Sequence, residues 1–194
     1  FRWNERAAET LRRFYERPYT LSLGVCNGCQ LMIELNLLGA KPTADGRPAV
    51  EMKHNLSGKF ESTFVGINVE SSPSVMLEKL SHLSSGIWVA HGEGRFTFNA
   101  KPEDSGICVA ARYSYDTYPG NPNGSEDAVA ALCSADGRHL AIMPHLERAI
   151  FPWQCPYYPQ ERLNDDVTIW FDAFVAARRW IEHQTQFYLT RRKG

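Results

Sequence analysis

The sequence predicts a mixed α/β sandwich built on a mostly parallel sheet. Three observations carry that expectation. Helix-like and strand-like patterns alternate along the chain instead of segregating into halves. The first strand-like run, residues 20–25, is apolar on both faces, as a strand buried between two helical layers must be. The length of 194 residues, 43% of them hydrophobic, suits one domain with a sizeable core.

The elements follow in order. Residues 3–15 read as an amphipathic helix with Trp3, Ala7, Leu11 and Phe14 on one stripe, ended by Pro18. Strand 20–25 comes next, then a helix over residues 28–38 with Gly39 as its C-cap. Residues 41–49, rich in turn formers, are a loop. Residues 62–69 alternate like a strand, and 86–90 form a short buried strand that runs into the polar loop His91-Gly92-Glu93-Gly94-Arg95. Residues 107–113 read as another strand. Residues 128–133 and 139–143 flank Asp136-Gly137, a hairpin signal. These later strands read as antiparallel, which makes the sheet mixed. A final helix spans 166–183, and Pro119 to Gly124 is a rigid, turn-rich loop.

Composition excludes several classes of function. With 21 basic and 22 acidic residues there is no basic excess to attract nucleic acid. The apolar runs fall far short of the ~20 residues that span a bilayer. The opening Phe1-Arg2-Trp3-Asn4-Glu5-Arg6 has neither an initiator Met nor an apolar signal segment, so the chain reads as a fragment or a processed piece. Cys26, Cys29, Cys108, Cys133 and Cys155 are odd in number and irregular in spacing, which argues against a disulfide framework and for a reducing, cytoplasmic setting. Cys108 and Cys133, in apolar strand-like runs, read as buried and inert.

The chemistry concentrates at Gly24-Val25-Cys26-Asn27-Gly28. Strand, tight turn and helix with a nucleophile at the bend make a nucleophile elbow. Gly24 and Gly28 are expected there because side chains would collide with strand and helix. The thiol at a helix N-terminus is expected to favour the thiolate. A base is needed, and of the six histidines His145 stands out, because it follows a strand ending in Pro144. In extended backbone Glu147 would lie on the same side as His145 and fix its tautomer. The imidazole could then take the thiol proton and return it to a leaving amine, which gives a Cys26–His145–Glu147 triad. Cys26 and Cys29 also form a Cys-x-x-Cys, which leaves a redox dithiol as an alternative, while Cys29 is more simply a packing residue. No phosphate loop and no paired metal-ligand motif is present.

Gly24-Val25-Cys26-Asn27-Gly28-Cys29-Gln30 and Pro144-His145-Leu146-Glu147-Arg148 resemble the class I (triad) glutamine amidotransferases, a flavodoxin-like sandwich family. The match is closer to the glutaminase domain of the large purine-pathway synthase that turns formylglycinamide ribonucleotide into its amidine. Val89 to Arg95, Tyr118 to Ser125 and Phe151-Pro152-Trp153 look like further blocks of that domain, so the resemblance runs over nearly the whole chain and implies one glutaminase domain over residues 1–194. It implies Cys26 as nucleophile, His145 as general base and acid, Glu147 as its partner, and the Asn27 backbone N–H as an oxyanion donor. It also implies a glutamine pocket lined by Gln30, His91, Gly92 and Glu93. No metal or cofactor is implied in this chain; ATP and Mg belong to a separate synthetase region that receives the ammonia. The family commonly has Pro where Leu146 stands, so a modest loss of loop rigidity is expected with the triad intact. The family's opening strand and glycine-rich loop, which supply a second oxyanion donor, are expected to be missing here, which leaves an inactive docking fragment as a further alternative.

Overall fold

The computed structural model describes residues 4–191, with side chains through residue 187. Helix α1 (Glu5–Glu16) is capped by Asn4, whose side chain accepts from the Ala7 N–H at 3.0 Å. Ala7, Leu11 and Phe14 form its half-buried stripe, while Trp3 lies outside the described residues. Strand β1 (Ser22–Val25) leads through Cys26 into α2 (Asn27–Glu34). The remaining elements are β2 (Val50–Lys53), β3 (Glu61–Val69), β4 (Ser84–His91), β5 (Arg95–Phe98), a one-turn α3 (Pro102–Ser105), β6 (Ile107–Tyr113), β7 (Val129–Ser134), β8 (His139–Ile142) and α4 (Phe171–Arg191).

Six strands form one sheet in the order β1-β8-β7-β6-β3-β4, and β2 and β5 form a separate antiparallel ribbon. The expectation of a mostly parallel sheet does not hold. Only β1 and β8 are parallel, with Val25 opposite Ile142, and the other four pairings are antiparallel. Connectivity accounts for β7–β8: parallel neighbours need a crossover of a dozen or more residues, whereas these two strands are joined by a tight turn over residues 135–138. At the β7–β8 hairpin Gly137 adopts φ +71°, and a Cβ there would fall 1.8 Å from the Pro73 carbonyl oxygen, so only glycine fits.

β7 and β8 are buried on both faces and divide the core in two. Along β8 and its continuation, Leu140 and Ile142 join Ile67, Ile87, Leu146 and Trp170 in one layer. Ala141 and Met143 face the other layer, with Cys29, Met32 and Ile33 of α2. This strand periodicity makes the sandwich. Cys133 is fully buried, as the sequence suggested, whereas Cys108 opposite it is only half-buried, contrary to that expectation.

Three helix boundaries differ from expectation, one of them the end of α4, which runs to Arg191 and not 183. α2 stops at Glu34, not at 38, because Asn36 takes φ +52° and its side chain bonds both the N–H and the C=O of Ala40 at 2.9 Å. A short polar side chain that satisfies the backbone locally competes with the helix. α4 starts at Phe171, not 166. Before it, the Thr168 hydroxyl donates to Ala149 O and accepts from the Trp170 N–H, which holds a turn in place of a helix.

Candidate active site

Cys26 sits where β1 becomes α2. Its N–H continues the parallel ladder to Ile142 O at 3.0 Å, and its C=O accepts the first helical bond from Gln30 N–H at 3.0 Å. Between these two commitments the residue is forced to φ +52°, ψ −107°. For a non-glycine residue that backbone costs on the order of 1–3 kcal/mol, strain of the kind that gathers at functional sites. The bend closes because Gly24 has no side chain: a Cβ there would lie 2.4 Å from Met32 Sδ and 2.6 Å from Gly28 O. Gly28 differs from expectation. A Cβ at Gly28 meets nothing within 4 Å, so the elbow needs no glycine there for space.

The thiol donates to Ala90 O of β4 at 3.6 Å. Burial pushes the Cys26 thiol above its ordinary value, against the opposing pull of the Asn27 N–H and the charge of Arg148. The helix terminus therefore does not by itself make Cys26 a resting thiolate, contrary to the sequence expectation. Desolvation outweighs the Asn27 amide and the charge of Arg148.

The candidate base follows β8. Past Ile142 the chain runs through Met143 and Pro144 to His145, whose N–H bonds Trp88 O at 2.7 Å in an isolated antiparallel bridge. His145 Nδ1 lies 2.6 Å from Glu147 Oε1, while Nε2 is buried with no hydrogen-bond partner. Pairing at Nδ1 leaves Nε2 as the working nitrogen. Burial works to raise the Glu147 carboxyl, but the hydrogen bond and charge of His145, with Arg148, outweigh it and hold Glu147 below its ordinary range. The pair is not made in extended backbone as the sequence suggested. Leu146–Arg148 is a 3₁₀ turn, closed by Arg148 N–H to His145 O at 3.1 Å. Leu146 is fully buried in the layer with Trp170.

The expected pocket residues gather on the next loop. Gln30 Nε2 donates to Glu93 O at 2.7 Å, joining α2 to the loop after β4. The Glu93 carboxylate is exposed, 3.3 Å from His54 Nδ1. The His91 ring turns inward. Burial lowers it to about 4, with His145 acting in the same sense and Glu61 against it. The ring packs so closely that a Cβ on Gly94 would lie 2.6 Å from it. Cys29 is fully buried in the α2 layer, with burial first and Cys26 second pushing its thiol well up, as suits a packing residue. Asn55, Trp88, Ala90 and Asn123 also hold this site. Ala90 and Asn123 fall inside blocks the sequence resemblance picked out, though without a role, while no motif singled out Asn55 or Trp88; each acts through a contact 29 to 66 residues away in sequence. Among the described residues no group of three or more His, Cys, Asp or Glu could hold a metal ion, and no helix is long and apolar enough to cross a membrane.

The site thus joins an elbow cysteine and a carboxylate-paired histidine at the end of a neighbouring strand on one mixed sheet. The chain belongs to the CobB/CobQ-like glutamine amidotransferase domain family, whose model matches residues 1–181. Among similar proteins is human phosphoribosylformylglycinamidine synthase, 40% identical over 198 aligned positions that cover 92% of this chain and 15% of that protein. The probable chloroplastic/mitochondrial phosphoribosylformylglycinamidine synthase of Arabidopsis thaliana is 39% identical, over 93% of this chain and 14% of its own length. The chain thus spans about one seventh of these curated relatives. The structure of PurLQS from Thermotoga maritima shares the fold, with a TM-score of 0.64 at 24% identity over 90% of this chain and 66% of that one.

Proposed function

We propose that this domain hydrolyses the side-chain amide of glutamine and that Cys26, His145 and Glu147 do the chemistry. His145 Nε2 takes the thiol proton as Cys26 Sγ attacks the amide carbon, forming a C–S bond. The Asn27 N–H meets the developing oxyanion. The C–N bond then breaks, and His145 returns its proton to the departing ammonia, leaving a γ-glutamyl thioester. Water, deprotonated by His145, attacks that thioester; the C–S bond breaks, glutamate leaves and the thiol is restored. Glu147 holds the imidazole through Nδ1 throughout. Gln30, Gly92 and Glu93, with the packed His91 beneath them, would form the wall against which glutamine binds. The observation that carries this reading is the His145–Glu147 pair with its buried, unengaged Nε2, brought by the parallel β1–β8 ladder to the elbow that holds Cys26.

The relatives extend the proposal to a whole protein. The ammonia would pass to a synthetase region, of the same polypeptide or a partner, that uses ATP with Mg to convert formylglycinamide ribonucleotide to formylglycinamidine ribonucleotide in purine synthesis. A cytoplasmic setting fits the five free thiols. In the full-length protein, Cys26→Ala is expected to abolish glutamine-dependent synthesis and to spare synthesis from added ammonia. Unimpaired glutamine-dependent turnover in that variant would overturn the proposal.

A further inference from the structure

We infer that Asn55 is a positioning residue for glutamine, holding the loop 91–94 in the one shape that can bind it. The inference rests on the glutaminase reading above. The loop contains Gly92 and Gly94 and is by composition free to take many conformations. In the structure it has one, because all four of its carbonyls are held. His91 O accepts from Asn55 Nδ2 at 2.8 Å, and Gly92 O from the Asn55 N–H at 2.9 Å. Glu93 O accepts from Gln30 Nε2 at 2.7 Å, and Gly94 O from Asn123 Nδ2 at 2.6 Å. The Gly94 N–H in turn donates to Asn55 Oδ1 at 3.0 Å.

Asn55 therefore supplies three of the five bonds, two through its side chain and one through its backbone. Its second Nδ2 hydrogen reaches Lys59 O at 3.0 Å, which closes the turn that presents it. Only 3% of its surface is exposed. A buried amide must satisfy two donors and an acceptor, and this position does so without water. Neither Asp nor Ser offers that combination. The Asn123 segment is fastened to the same brace by Leu56 N–H to Asn123 O at 3.1 Å. Gln30 stands one helical turn after Cys26, so the brace fixes the pocket wall in the frame of the nucleophile. It makes no bond to Cys26, His145 or Glu147. Loosening it should therefore weaken glutamine binding and leave the bond-breaking steps nearly intact.

The test is steady-state glutaminase kinetics on the full-length protein with Asn55→Asp. This change keeps the size and the acceptor for Gly94 and removes both Nδ2 donors. The KM for glutamine is expected to rise about tenfold or more while kcat stays within about threefold. Iodoacetamide needs no glutamine pocket, so its rate at Cys26 should change by less than about twofold. An unchanged KM in the folded variant overturns the inference, as does a loss confined to kcat. Should Asn55→Asp fail to fold, Asn123→Ser, which removes the Nδ2 donor to Gly94 O together with the side-chain bonds to Tyr113 Oη and the Ser125 N–H, must raise KM in the same sense, and an unchanged KM there overturns it. If the unsubstituted protein releases no ammonia from glutamine, the glutaminase reading fails, and this inference with it.

Discussion

His145 and Trp88 are joined by a single backbone bond, His145 N–H to Trp88 O at 2.7 Å, beyond the last ladder pair of β8. The bond carries the chain off β8 onto β4, whose Ala90 O, two residues on, accepts from the Cys26 thiol. Nucleophile and base are thus referred to the same strand end. Trp88 is itself held by its ring N–H to Gln154 O at 2.8 Å. The ends of β1, β8 and β4 meet there, and each contributes one part of the site.

Glu147 acts through the orientation and charge of His145. Glu147→Gln keeps the shape and removes the charge that stabilises the imidazolium. We expect kcat for glutamine hydrolysis to fall about 10²–10³-fold, within the range that positioned acid–base groups contribute. KM should stay within about threefold, because Glu147 is not placed in the pocket wall. An unchanged kcat would remove Glu147 from the mechanism.

The two elbow glycines should respond in opposite ways. Gly24→Ala forces a Cβ to within 2.4 Å of Met32 Sδ and 2.6 Å of the Gly28 carbonyl oxygen. Overpacking of this kind typically costs about 1–3 kcal/mol. Gly28→Ala meets open space on a helical backbone and is expected to be neutral or to stabilise by up to about 1 kcal/mol. Urea denaturation of the two variants checks both, and equal destabilisation would contradict this account of the bend.

The protonation state of Cys26 makes a third prediction. Only the thiolate alkylates, and burial holds this thiol above its ordinary value of 9.0. In the substrate-free protein the rate of Cys26 alkylation by iodoacetamide should therefore keep rising as pH increases through 9.0. A rate that levels off below pH 7 would mean that a thiolate–imidazolium pair already exists at rest.

Much of this was legible in the sequence because it is local. The elbow is written in five consecutive residues, and strand 107–113 appears with the bounds expected for it. His145 and Glu147 are two positions apart, so either an extended segment or a turn can bring them together; the structure uses the turn. Strand direction was legible in the later strands, where the Asp136-Gly137 hairpin signal marks an antiparallel pair, but not elsewhere, since a period of two is the same in parallel and antiparallel ladders. The end of α2 was hidden because Asn36 acts through its bonds to Ala40, which helical periodicity does not register. Asn55 could not be found at all. Its meaning lies in contacts with residues 91–94, which only the pairing of β2 with β5 and of β3 with β4 brings near. The Cys26 thiol was misjudged for a related reason: a helix terminus shows in the sequence, whereas the desolvation that outweighs it comes from the tertiary packing.

The most direct test of the central claim is covalent labelling with a glutamine-analogue electrophile, such as a chloroketone, read by peptide mass spectrometry. The account predicts one modified residue, Cys26, with protection by glutamine and loss of labelling in a folded His145→Ala variant. Labelling at another cysteine, or labelling of Cys26 that persists undiminished without His145, would contradict it.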